Sequence, residues 1–207
     1  MSRPLSERIP PPPPQAPRIR VQRFWRWVAR CLIGASDWHI VGAFPDLPKF
    51  IGIAAPHSAN WDGIFGISSA YAMDIRATWM GKSSLFKGGL GRVMRGLGGI
   101  ATDRSAANGA VGQMAELMRT AERMWLFIAP EGTRKPVKKW RTGFWHIASQ
   151  AQVPLVLIYL DYPNSCIRIG EVFHLSGDKE RDLAELYERF RPYVGKNGKS
   201  GLPAGVQ

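Results

Sequence analysis

His57 and Asp62 have the residue types and spacing to move a proton. They stand in the stretch Ala54-Ala55-Pro56-His57-Ser58-Ala59-Asn60-Trp61-Asp62-Gly63. A neutral imidazole can take a proton near neutral pH, and a carboxylate bonded to one ring nitrogen leaves the other free to do so. An offset of five turns two side chains roughly 140° apart on one helix and puts them on opposite faces of one strand. The pair therefore meets only where the chain bends between them. The residues suit a bend. Pro56 ends the apolar run Phe50-Ile51-Gly52-Ile53-Ala54-Ala55, and Asn60 or Asp62 can cap a following helix. The competing reading is a packed histidine followed by an unrelated capping aspartate.

A second stretch adds an anion site. The run Met124-Trp125-Leu126-Phe127-Ile128-Ala129 has the make-up of a buried strand and leads directly into Pro130-Glu131-Gly132-Thr133-Arg134. A glycine, a hydroxyl and a guanidinium at a strand end can hold an anion through backbone N–H groups and the arginine fork.

Taken together, His57-x4-Asp62 and Glu131-Gly132-Thr133-Arg134 resemble the glycerolipid acyltransferase family, the group that includes 1-acylglycerol-3-phosphate acyltransferase. Two weaker blocks fall in the family's order: Gly98-Gly99-Ile100-Ala101-Thr102-Asp103-Arg104 between them, and Val153-Pro154-Leu155-Val156 after them. The resemblance spans about residues 38–161. It implies an enzyme of phospholipid biosynthesis that moves a fatty acyl group from acyl-CoA or acyl-carrier protein to a lysophospholipid, with 1-acylglycerol 3-phosphate giving phosphatidic acid. His57 would be the general base and Asp62 its orienter. Arg104 and Arg134 match the family's arginines and would bind the acceptor's phosphate, since a guanidinium grips phosphate bidentately. Glu131, Gly132 and Thr133 would shape that pocket. Lys82 falls near the acceptor region. No cofactor beyond the thioester co-substrate and no metal is implied.

The sequence departs from the family pattern in places. Trp140-Arg141-Thr142-Gly143 stands where relatives carry an aromatic-Lys-x-Gly stretch, and Ala129 replaces a commoner aromatic or aliphatic residue. These departures leave acceptor identity open. A lyso-ornithine lipid or another lysolipid is the alternative acceptor, and a non-catalytic basic membrane- or nucleic-acid-binding protein is the alternative of another class. Ser58 beside the histidine suggests a serine nucleophile, but no Gly-x-Ser-x-Gly elbow accompanies it. His39, His146 and His174 read as packing or surface residues, and Val153-Pro154 as the start of a buried strand.

Composition agrees with a lipid-facing protein. The 207 residues carry a formal net charge of +12, which calls for anionic partners. No nucleic-acid module accompanies the charge. Cys31 and Cys166 form neither a disulfide framework nor a metal-ligand cluster. No apolar run approaches the roughly 20 residues of a membrane span, so a peripheral place on the cytoplasmic face of the inner membrane is expected. The proline run Pro10 to Pro14 sits where a secretory signal would need an apolar segment.

The positioning elements follow from periodicity. Residues 1–17 are expected to be a disordered or polyproline tail, and 195–207 a disordered one. Residues 18–36 read as a basic amphipathic helix, with Val21, Phe24, Trp27, Val28, Cys31, Leu32 and Ala35 on one face and Arg23, Arg26 and Arg30 on the other. Such a helix suits a membrane interface; the alternative packs it on the domain with its arginines in water. Residues 37–194 read as one acyltransferase domain. Strands at 38–44, 49–55, 76–80, 98–103, 124–129, 153–159 and 165–175 alternate with helices at 62–73, 88–97, 107–122, 142–151 and 179–193. That order predicts a single α/β domain with a mostly parallel mixed sheet flanked by helices.

Overall fold

The computed structural model describes residues 5–19, 23–102 and 107–206. The elements run α1 (Leu5–Arg8), α2 (Arg23–Gly34), β1 (His39–Val41), β2 (Lys49–Ala55), α3 (Asn60–Ala72), β3 (Ala77–Lys82), α4 (Gly88–Gly96), β4 (Gly99–Thr102), α5 (Ala107–Thr120), β5 (Met124–Ile128), α6 (Gly143–Ala151), β6 (Leu155–Asp161), β7 (Cys166–Phe173) and α7 (Lys179–Phe190). The strands form one sheet in the order β1-β7-β6-β2-β5-β3-β4. Every pairing is parallel except β6 with β7. The expected α/β class and mostly parallel sheet are therefore present.

Strand alternation divides the core between the two faces of the sheet. Ile51, Ile53 and Ala55 of β2 join Leu155, Leu157 and Tyr159 of β6 under α5, α6 and α7. Phe50 of β2 joins Val156, Ile158 and Leu160 of β6 on the opposite face, with Trp125 of β5 and Ile75. Phe50, Trp125, Leu126 and Leu155 have no exposed surface. Burying a side chain of this size contributes about 1.5–3 kcal/mol, so β2, β5 and β6 form a rigid platform. Their C-terminal ends carry the loops that begin at Pro56, Ala129 and Tyr162.

Both terminal segments depart from the expected disorder. Arg8 is 5% exposed, and its guanidinium donates to the carbonyl oxygens of Ile33, Gly34, Ser36 and Trp38. It thus caps the C-terminus of α2, where carbonyls lack partners and the helix dipole favours a cation. Ala16 is fully buried in the core, and the Arg76 N–H donates to the Pro17 carbonyl. At the other end Gly201, Leu202 and Pro203 are buried. The Trp140 indole donates to the Gly201 carbonyl at 2.7 Å, and the Ala204 N–H to the Val137 carbonyl at 2.9 Å. Leu202 lies in the same core cluster as Trp140 and Phe190, and an apolar anchor of this kind holds a segment that is otherwise Gly- and Lys-rich.

The basic amphipathic helix is shorter than 18–36, and it packs by the side that carries Arg26 and Arg30. Arg18 lies in an antiparallel bridge with Ile75, and Val21 lies outside the described residues. Within α2 the buried residues are Ala29 and Ile33, which pack with Ala72 of α3. Arg26 pairs with Asp74 at 2.9 Å, and Arg30 donates to the Ala72 carbonyl at 3.4 Å. Two of the three arginines thus turn toward the domain. Phe24, Trp25, Trp27 and Leu32 are instead 46–62% exposed. The reading with arginines in water and aromatics packed inward does not hold. No helix among the described residues is long and apolar enough to cross a membrane.

Candidate active site

β2 and β5 are parallel neighbours, with Ile53 opposite Ile128. Their loops leave the same edge of the sheet side by side, which is where open α/β sheets place ligands. The bend between His57 and Asp62 is present. After Pro56 the chain turns into α3, and Asp62 occupies its first turn. Asp62 Oδ2 accepts from the N–H groups of Ser58 at 2.6 Å and Ala59 at 2.8 Å. The same oxygen lies 3.2 Å from His57 Nδ1. One carboxylate therefore both ties off the orphan donors that precede the helix and fixes the imidazole.

The electrostatics suit an orienting role. The Asp62 side chain is 1% exposed. Burial alone would raise its pKa, but hydrogen bonds from His57, Tyr162 and the Ala59 N–H outweigh it, and the carboxyl is held below 3.8. An ionised Asp62 accepts a hydrogen from Nδ1 and leaves Nε2 with its lone pair. The His57 side chain is 22% exposed.

Glu131 sits on the other side of the histidine. Its Oε1 accepts from the His57 backbone N–H at 2.7 Å, and the residue is 5% exposed. Burial pushes the carboxyl up from 4.5 to about 7, against a smaller lowering by that N–H. Glu131 is thus a positioner of the histidine backbone, reached across 74 residues of sequence. A pKa raised on folding stabilises the native state below the unfolded value and loses that contribution as pH rises through the folded value. The parent should therefore lose stability relative to Glu131→Gln as pH rises from about 4.5 to about 7. Urea unfolding across that range checks it. Equal pH slopes for the two proteins would refute it.

Backbone conformation favours glycine at Gly132. Its φ is +63°, in the region that favours glycine. A Cβ there would stand 2.6 Å from Arg141 Cδ and 2.7 Å from Arg141 Nε, so the exposed Arg141 side chain would have to shift. Thr133 is exposed, and its Oγ1 accepts from the Lys135 N–H at 3.3 Å. Arg134 is exposed and lines a cleft with His57, Glu131, Lys135 and Lys199. Lys82 ends β3 on the same edge of the sheet but does not line that cleft. Arg104 lies outside the described residues. Among the described residues no group of three or more His, Cys, Asp or Glu is placed to hold a metal ion.

Two contributors escape sequence reasoning: Tyr162 and the C-terminal segment that carries Lys196 and Lys199. Tyr162, just past β6, donates a very short hydrogen bond to Asp62 Oδ1. Burial and the adjacent carboxylate raise its phenol pKa well above 10. The Ser58 hydroxyl accepts from the Lys196 N–H at 2.8 Å and so anchors the C-terminal segment. That segment brings Lys199 to the cleft. Neither Tyr162 nor the C-terminal segment has a local signature; each arrives from a distant part of the chain.

No curated protein sequence matches the chain. Among solved structures, the 1-acyl-sn-glycerophosphate acyltransferase PlsC of Thermotoga maritima is similar, with a TM-score of 0.55 and 17% identity over 81% of this chain and 75% of that one. At that identity the likeness concerns the fold. The sequence model of the Acyltransferase family matches residues 47–161, which hold β2, the His57–Asp62 turn, the Glu131 loop and all of β6. With more than half of its length under that match, the chain belongs to the Acyltransferase family.

Proposed function

We propose that this acyltransferase esterifies a lysophospholipid at a membrane surface, with 1-acylglycerol 3-phosphate as acceptor and acyl-CoA or acyl-carrier protein as donor. The carrying observation is the buried Asp62 carboxylate on His57 Nδ1, beside a loop that presents the exposed Arg134. His57 Nε2 takes the proton from the acceptor hydroxyl as that oxygen attacks the thioester carbonyl. The C–O bond forms, the tetrahedral oxyanion collapses, and the C–S bond breaks. The departing thiolate takes the proton from the imidazolium, which Asp62 stabilises. No acyl-enzyme is needed, because the nucleophile is the acceptor's own hydroxyl. Arg134 would hold the acceptor phosphate, and Arg104 matches the family position for a second guanidinium. The resemblance of the Glu131-Gly132-Thr133-Arg134 loop to the family's phosphate-binding block supports that acceptor class. The test offers purified protein a panel of lysolipids with each donor and reads products by mass spectrometry. An ester product on phosphate-bearing lysolipids is expected. Transfer only to phosphate-free acceptors would overturn the acceptor assignment.

Membrane contact falls to α2. Its outward aromatics suit the interfacial zone, while Arg26 and Arg30 lock it to α3. The net charge favours an anionic leaflet, in keeping with a peripheral place on the cytoplasmic face. Removing two large aromatics forfeits up to about 1.5–3 kcal/mol of burial each, so Phe24→Ser with Trp27→Ser should weaken flotation with anionic vesicles by more than about tenfold. Unchanged flotation would assign the contact elsewhere.

A further inference from the structure

A second cleft, of about 260 Å³, opens at the other end of α3. Its apolar lining comes from Ile67 and Ala70 of α3, from Ile75 just before β3, and from Leu97 after α4. Arg18, Arg76, Arg95 and Tyr71 also line it, and the Tyr71 hydroxyl donates to the Gly96 carbonyl at 3.2 Å. Its distance from the acyl-transfer site follows from sheet register. Ala77, at the cleft, and Phe50 both pair with Trp125, so they lie level across the sheet. His57 is seven residues beyond Phe50 along β2 and its turn. At ~3.3 Å per strand residue the cleft is on the order of 20 Å from the imidazole.

The three arginines have no acidic partner among the described residues, although the Arg95 guanidinium lies over the Phe86 ring, 5.8 Å from its centroid. Among the described residues none of the three lies within ion-pair distance of a carboxylate. Arg18 makes long contacts of 3.4 and 3.3 Å to the Pro12 and Pro13 carbonyls, and Arg95 donates to the Phe86 carbonyl at 3.1 Å. Three exposed arginines lining one cleft, with no acidic residue among the described residues of its lining, suit a phosphate diester or monoester. The aliphatic walls call for a hydrocarbon portion on the same ligand. A nucleic acid would want stacking platforms, and Tyr71 is the one aromatic residue among those lining the cleft. The volume is just under the roughly 300–1,000 Å³ of small-molecule pockets, enough for a headgroup and the first part of a chain. Tyr71 also packs beside Ala29 and Ile33 of α2, so the cleft adjoins the helix with the outward aromatic face.

We infer that this cleft is a second, non-catalytic site for an anionic phospholipid, with Arg18, Arg76 and Arg95 on the phosphate and Ile67, Ala70, Ile75 and Leu97 against the glycerol and upper chain. The inference does not rest on acyl transfer at His57 and is read by binding alone. The probe is monomeric dihexanoyl-phosphatidylglycerol, titrated calorimetrically into the full chain carrying Arg134→Ala, which removes the arginine that lines the acyl-transfer cleft with His57. Arg76→Gln in that background should lower affinity about tenfold or more, as expected for loss of a guanidinium–phosphate contact. Its side chain is exposed and outside the core, so an unchanged melting temperature is expected. Ile67→Trp, which fills the apolar wall, should also abolish lipid binding. Inorganic phosphate should bind far more weakly than the lipid. Equal affinity with and without Arg76 would overturn the inference. So would lipid binding that survives Ile67→Trp, with inorganic phosphate bound as tightly, since the cleft would then hold an ion and not a lipid.

Discussion

Replacing His57 with alanine is expected to lower turnover by roughly 10²–10⁴-fold, the scale of a lost general base, while leaving the melting temperature near that of the parent. The fold should survive because the tie to Glu131 uses the His57 backbone N–H, which alanine keeps. Asp62→Asn should cost a comparable factor, since an amide no longer compels the hydrogen onto Nδ1. It should also lower stability, because Asp62 holds the Ser58 and Ala59 N–H groups. Tyr162→Phe separates the two effects. It removes one donor from an ionised carboxylate, an interaction in the range of about 1.5–3 kcal/mol. Asp62 is held below 3.8 partly by that donor, so its pKa should rise and the acid limb of the pH–rate profile should move to higher pH. Steady-state rates with a saturating lysolipid, measured against pH, read all three variants. A folded His57→Ala protein of near-normal activity would end the base mechanism.

Removing Arg134 is expected to act on one substrate only. Taking away one charged partner of a phosphate contact typically costs about 2–5 kcal/mol. Arg134 is exposed, so the lower end applies, about a 30-fold to 100-fold rise in the Michaelis constant for the phosphate-bearing acceptor. The donor constant should hardly move. Arg134→Lys should restore only part of the loss, because an ammonium keeps the charge but not the planar fork. Kinetics with each substrate varied in turn decide it. A variant damaged only toward the thioester donor would show that this loop does not read phosphate, although the histidine chemistry would stand.

The parts of the site closest along the chain are legible in the sequence alone. His57 and Asp62 are five residues apart, and Pro56 with a following apolar helix leaves one place for the bend. Glu131 to Arg134 follow a run too apolar to be anything but a buried strand. Alternation in β2 and β6 divides the core between two faces, because a period of two is a local property. Three features are not legible. Tyr162 reaches Asp62 across 100 residues, and a lone tyrosine after a strand carries no sign of its partner. The orientation of α2 depends on Asp74 and the Ala72 carbonyl of another helix, whereas amphipathicity divides a helix into faces without saying which one packs. The terminal segments have the composition of disorder, yet Arg8 finds four carbonyls, and Ala16 and Leu202 find gaps in the core. Average composition does not register one arginine or one leucine that fits.

The distances along the chain within the site bear on how it is made. Glu131 joins His57 across 74 residues, Tyr162 joins Asp62 across 100, and Lys196 joins Ser58 across 138. Each contact closes a long loop, and each loop carries an entropic cost that is met only when the sheet between its ends has assembled. A chain with β2 paired to nothing holds a histidine and an aspartate but no fixed imidazole. During refolding, helical signals should therefore return early, while turnover should return together with the burial of Trp125 and Trp140. Catalytic competence in this molecule is a reporter of the last long-range pairing to form.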